Sequence, residues 1–298
     1  MGISYLLVGL SGYFLLAFSS VADKFLVSKV VRAPVAYAFY TAVTGPFSLL
    51  LLPFGGKILN LPDMLVALSA GIAFIIGIYF SWSAIGKASV SRVVPIQAGL
   101  GPLFTFILSY FILSERLGIL QSFGFVLLVF GAVLISFRRS SSGWAPSSLW
   151  YASLSALFFA LTSVLTKYTF NHSNYITGLV WPSVGFVIPL AFILPFKSNR
   201  KAIFNAPKEA GKKNVALYYS SRATGTIGGY LQKYAVKLGS VTVVNALQGM
   251  QFVFLLILTT FLSIYYPKVL KERINTETVI LKASAIAAIS IGLFLLTK

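Results

Sequence analysis

The sequence predicts an all-α membrane protein of ten transmembrane helices, arranged as two inverted five-helix repeats. Three observations carry that prediction. Of 298 residues, 57% are hydrophobic and only 10% charged, with a mean hydropathy of +0.87; a soluble domain carries about a quarter charged residues. Apolar runs of the roughly 20 residues needed to cross a bilayer follow one another almost end to end. They are apolar all round, where barrel strands would alternate, and only helices and closed barrels span membranes. Finally, the second half of the chain repeats the first.

The spans fall at 3–22, 34–54, 63–84, 91–113, 118–137, 147–168, 175–196, 214–237, 241–265 and 277–296. The first has no cationic segment before it and no small-residue cleavage site after it, so it reads as a span and not as a cleaved signal. Pro34 and Pro53 punctuate the second, at ends where a missing N–H is tolerated. Pro62-Asp63 opens the third, with the acid near the positive end of the helix dipole. The fourth carries Pro95 and Pro102, and its Gln97, Gly101, Thr105 and Ser109, four apart, stack a small polar stripe on one face. Lipid does not call for such a stripe; a packed or water-lined interior does. A polar hinge, Ser114-Glu115-Arg116-Leu117, leads to the fifth span. Arg138, Arg139 and Ser140 to Gly143 link the halves, and Pro146 precedes the sixth. Only the seventh joint, 197–214, is long. The eighth span contains Arg222, and the ninth has Asn245, Gln248 and Gln251 at every third residue. Trp144, Trp150, Tyr151, Tyr175, Tyr265 and Tyr266 lie near span ends, as an aromatic belt would.

The repeat is legible residue by residue. At an offset of 143, Ala17, Ser20, Val21, Lys24 and Pro46 meet Ala160, Ser163, Val164, Lys167 and Pro189. At 151, Tyr79, Ser89, Val90, Val93 and Gln97 meet Tyr230, Ser240, Val241, Val244 and Gln248. Glu115-Arg116 is answered by Glu272-Arg273. The halves are 1–139 and 140–298, one integral membrane domain. Five crossings per half make the second half enter from the opposite side, so the repeats are inverted. That construction is typical of secondary transporters, with the substrate near the midplane between repeats.

These residues resemble a ten-helix EamA-type member of the drug/metabolite transporter superfamily. The resemblance rests on A-x-V-x-R-V-V-P at 88–95, Pro102, S-E-R-L at 114–117, and Gly124 and Gly131. A weaker second copy comprises GSVTVV at 239–244, ERI at 272–274 and Gly292; Ala246 stands there where the family pattern has proline, and Pro267 to Lys271 lengthens the approach to Glu272. The resemblance implies a cavity lined mainly by the third, fourth, eighth and ninth helices with the first and sixth, open to one side at a time.

No catalytic constellation is present. The six acids, Asp23, Asp63, Glu115, Glu209, Glu272 and Glu277, sit in joints or near span ends, and the lone His172 follows the sixth span. Acid–base and covalent chemistry therefore lack candidates, and the chain is expected to be neither an enzyme nor a holder of a metal or cofactor. There is no cysteine. The net charge of +18 does not signal nucleic acid, because its cations cluster at the ends of apolar runs and meet lipid headgroups.

Arg222 costs roughly 2.5–3.5 kcal/mol if central in a membrane, so it snorkels to the interface, meets an anionic substrate in a cavity, or ties to a carbonyl. Buried amides need partners: Gln97, Asn245 and Gln248 either bond between helices or line the cavity, and Gln97 and Gln248 would face each other across the pseudo-axis. Tyr79, Trp82, Gly101, Thr105 and Tyr230 complete the expected cavity, and Pro95, Pro102, Glu115 and Arg116 the hinge or gate. Gly225 and Gly229 form a GxxxG packing surface.

The function expected is transport of a small polar metabolite, amino acid-like or anionic, by alternating access. The alternatives are a flippase for a lipid-linked or phosphorylated cargo and, more remotely, a membrane scaffold or an intramembrane enzyme. Expected partners are that substrate and the lipid bilayer, and the expected location is the plasma membrane of a prokaryote. Orientation is disputed between two signals. The resemblance implies cytoplasmic termini, yet sixteen cations lie after odd-numbered spans against six on the other side, with Arg222 and Lys282 inside spans. The positive-inside rule therefore favours external termini.

Overall fold

The computed structural model describes residues 2–27, 34–88, 90–136, 146–210, 212–265 and 276–296. Among these the chain is helical throughout, with no strand. The linker 138–143, Trp144, Tyr266, Ser89 and the second hinge at Glu272-Arg273 lie outside the described residues.

Every expected span is met by a helix. The first is α1 (Gly2–Val27). The second begins as α2 (Pro34–Thr44) and tightens at Gly45-Pro46 into a 3₁₀ segment, Gly45–Phe54, closed by Gly55 at φ +111°. The third to sixth are α3 (Leu61–Lys87), α4 (Val90–Ile112), α5 (Ile119–Ser136) and α6 (Pro146–His172). The seventh is broken: α7 (Tyr175–Val184), a 3₁₀ turn Gly185–Val187, then α8 (Leu190–Ile193) after Pro189. The long seventh joint holds a helix of its own, α9 (Lys197–Ala210). The eighth span is α10 (Lys212–Leu238), the ninth is split into α11 (Val241–Ala246) and α12 (Gln248–Tyr265), and the tenth is α13 (Thr276–Leu296). Seven of these stretches are long and apolar enough to cross a membrane, and α5 and α13 contain shorter apolar segments. The chain is an all-α, multi-pass integral membrane protein.

Caps follow local chemistry. The Asn60 side chain accepts from the Asp63 amide at 2.9 Å and starts α3. Asn174 does the same for α7 through Thr177, at 2.9 Å, while its amide donates to the Gly55 carbonyl. Ser240 starts α11 by accepting from Val243 at 3.0 Å.

The helices gather into two compact units interleaved along the chain. One contains Met1–Ser28, Arg116–Arg139 and Ala216–Lys298; the other contains Lys29–Glu115 and Ser140–Val215. In the second unit α6 packs along α3 and α4, while α7 packs on the 3₁₀ segment after α2. Ala38, Ala42, Ile75 and Leu190 form one buried cluster there, lined by Phe39, Phe74 and Phe186, and Ala84, Val93 and Ala152 form another. In the first unit α1 packs on α12, and α5 on α13. There α1 also meets α10, where a Cβ at Gly12 would stand 2.9 Å from the Gly228 carbonyl oxygen. The packing surface of α10 is thus Gly225, against Ser19, with Gly228; nothing lies near Gly229, so the expected Gly225–Gly229 surface is displaced by one residue.

Candidate functional site

Sequence-equivalent helices form the same trio in each unit, and each trio holds a polar cluster. In the second unit, Gln97 on α4 donates through Nε2 to Ser81 Oγ of α3 at 2.9 Å and to Ser155 Oγ of α6. Ser155 is fully buried and donates on to the Ala152 carbonyl at 2.9 Å. Gln97 is thereby an interhelical tie within its unit. In the first unit, Gln232 on α10 donates to the Tyr13 hydroxyl of α1 at 3.0 Å and lies 3.4 Å from Asn245 Oδ1 of α11. Tyr13, 2% exposed, donates to the Val244 carbonyl at 2.9 Å. Ser81 and Gln232 stand 151 positions apart, the offset at which Tyr79 meets Tyr230 and Gln97 meets Gln248.

Other expected residues of the second unit have distinct surroundings. Thr105 is fully buried and donates to the Gly101 carbonyl at 2.9 Å, a back-bond within α4. A Cβ at Gly101 would meet nothing within 4 Å, so this face of α4 borders open space. Trp82 stacks at 4.0 Å on Tyr37 of α2, a wall fixed by packing. Tyr79 is 42% exposed and sets its ring edge-on to Phe80. Pro95 and Pro102 are both buried inside α4, which runs through them as one helix.

At the hinge, Ser114 has φ +54°, and both the Leu113 and Glu115 amides donate to the Ser109 carbonyl, at 3.0 and 3.1 Å. This is a left-handed helix end of the kind usually taken by glycine. The boundary between the two units falls between Glu115 and Arg116, one residue further on.

In the first unit, Tyr230 and Gln248 are half-buried on α10 and α12, and Arg222 lies within α10. Gln251 donates to Ser20 Oγ of α1 at 3.2 Å, and the Ser19 and Ser221 hydroxyls approach to 3.0 Å. Sequence reasoning missed Tyr13, Ser81 and Ser155. Ser81 could have been found through its offset of 151 from Gln232; nothing around Tyr13 in the sequence marks it.

Residues 3–137 match the model of the EamA-like transporter family. Over 134 residues the chain is 27% identical to a Bacillus subtilis (strain 168) protein named "Uncharacterized transporter YxxF". That match covers 44% of this chain and 43% of the relative, so it spans less than half of the relative's length. A solved protein crystal structure superposes over 99% of this chain and 98% of its own, with a TM-score of 0.66 and 16% identity; at that identity the likeness shows the fold alone.

Proposed function

We propose that the protein is a secondary transporter that moves a small polar metabolite, amino acid-like or anionic, by alternating access between two inverted repeats. The observation that carries the reading is the contact of α5 with α13. A Cβ at Gly124 would stand 2.8 Å from the Gly292 carbonyl oxygen, and one at Gly292 would stand 2.8 Å from that of Gly124. A two-fold relation between equivalent helices would bring about such reciprocity, although close packing of two glycines also does so between Gly12 and Gly228; transporters bind substrate between repeats related by a two-fold axis. The family match and the name of the relative support transport.

In this reading Tyr79, Trp82, Gln97, Gly101, Thr105, Arg222, Tyr230, Asn245 and Gln248 border the substrate path. Pro95, Pro102, Glu115 and Arg116 belong to the moving joint. The partners are the substrate and the bilayer, in the plasma membrane of a prokaryote. The test is transport by the purified chain in vesicles, with a panel of amino acids, nucleotide sugars and phosphorylated metabolites. Saturable uptake or efflux above protein-free vesicles is expected for one class; none for any class would overturn the proposal. For an anionic substrate, Arg222→Ala should raise KM about tenfold, equal to 1.4 kcal/mol.

A groove of about 520 Å³ between α1 and α12, lined by Leu7, Leu10, Ser11, Phe14, Leu15 and Phe254, supports a second reading. An acyl chain fits such apolar walls, as a flippase for lipid-linked cargo would need. Scrambling of a fluorescent lipid-linked substrate in the same vesicles separates the two.

A further inference from the structure

We infer that α9 lies on the membrane surface and binds the headgroups of anionic phospholipids. The helix has 14 residues, about 21 Å at 1.5 Å per residue, too short to cross a hydrocarbon core of about 30 Å. It also segregates polar from apolar residues more sharply than the other described helices of ten or more residues. One side is fixed to the second unit. Ile203 is fully buried, its carbonyl accepts from the Tyr40 hydroxyl at 3.1 Å, and Asn199 donates to the Ile193 carbonyl at 3.0 Å, which ties the start of α9 to the end of α8.

The remaining surface has two components. Lys197, Arg200 and Lys201 are exposed, and the only acid in 197–210 is Glu209. Beside them Phe192, Phe196 and Phe204 are 74%, 64% and 61% exposed, and Phe204 also meets the Phe39 ring edge-on. Phenylalanines that continue the apolar surface of a membrane span, edged by cations, match the two layers of an anionic leaflet. The rings enter the acyl boundary and the cations meet phosphates. A soluble acidic partner would satisfy the cations but leave three phenylalanines in water. The inference rests on the chain spanning the membrane and not on transport.

The test uses the full chain in nanodiscs of phosphatidylcholine alone or mixed with phosphatidylglycerol. Phosphatidylglycerol should raise Tm, and the combined Lys197→Gln, Arg200→Gln and Lys201→Gln variant, or high salt, should abolish that rise. The native chain has no cysteine, so Phe204→Cys gives a single labelling site. Its fluorophore should be quenched by brominated lipid and shielded from aqueous iodide. A Tm rise that survives the triple substitution, or no rise at all, overturns headgroup binding. A label reached by iodide and not by brominated lipid overturns surface insertion and points to a water-facing face for a soluble partner.

Discussion

The Tyr13 hydroxyl reaches the Val244 carbonyl at 2.9 Å, beside the interruption at Leu247 between α11 and α12. Side chains inserted into a helix ladder are a known cause of kinks. The first copy makes the converse case. Ala156 stands at the position equivalent to Tyr13, and α4 runs unbroken through Pro95, whereas α11 ends at Ala246, where the proline is missing. Proline content alone would have predicted the reverse; we attribute the break to the hydroxyl. Tyr13→Phe should therefore slow amide exchange around Leu247 to Met250 and lower stability by about 1 kcal/mol, the scale of an interhelical hydrogen bond in a membrane. Exchange followed by mass spectrometry and thermal unfolding in detergent check the two parts. Ser114, at φ +54°, bears a Cβ penalty of about 1–2 kcal/mol. Ser114→Gly should raise Tm and Ser114→Val should lower it, by the same thermal measurement.

Glycines decide which helices pair. A Cβ at Gly131 would crowd the Ile289 side chain and stand 3.0 Å from the Ala285 carbonyl oxygen. Gly124 and Gly131, seven residues apart, thus lay α5 against α13 along two turns, the close approach that small residues permit between membrane helices. Gly292→Ala should cost about 1–3 kcal/mol, as overpacking of a tight interface does. Combined with Gly124→Ala it should cost less than the sum, since the two crowd the same gap; thermal unfolding of the single and double variants measures this. In the second unit Gly71 faces the backbone of Pro182 and Gly185, a similar contact between α3 and the break after α7.

Across the whole molecule, membership of the compact units alternates along the chain. Helix α1 leaves its own half to pack on α10 and α12, and α6 leaves its half to pack on α3 and α4. The compact units thus do not coincide with the expected halves 1–139 and 140–298; each takes segments from both. Sidedness is also decided at this scale. The cations after odd-numbered spans, including those on α9, predict external termini. A cysteine appended to either terminus should react with a membrane-impermeant thiol reagent in intact cells, while Ser198→Cys on α9 should stay protected. The opposite pattern would support the cytoplasmic termini that the family resemblance implies.

Hydropathy by itself determined the helical class, a helix at each expected span and the interhelical turn at Ser114 to Leu117. These are properties of a chain in lipid, where every backbone group must be satisfied within its own segment, so they are written locally. The split of the ninth span, the helix within the seventh joint and the partners of Gln97 were decided only by the tertiary structure. Gln97 needs a bonding partner wherever it is buried, but only the packing of α3, α4 and α6 makes that partner Ser81 and Ser155. A hydroxyl 231 residues away from the helix it interrupts, like that of Tyr13, leaves no mark in any window of sequence.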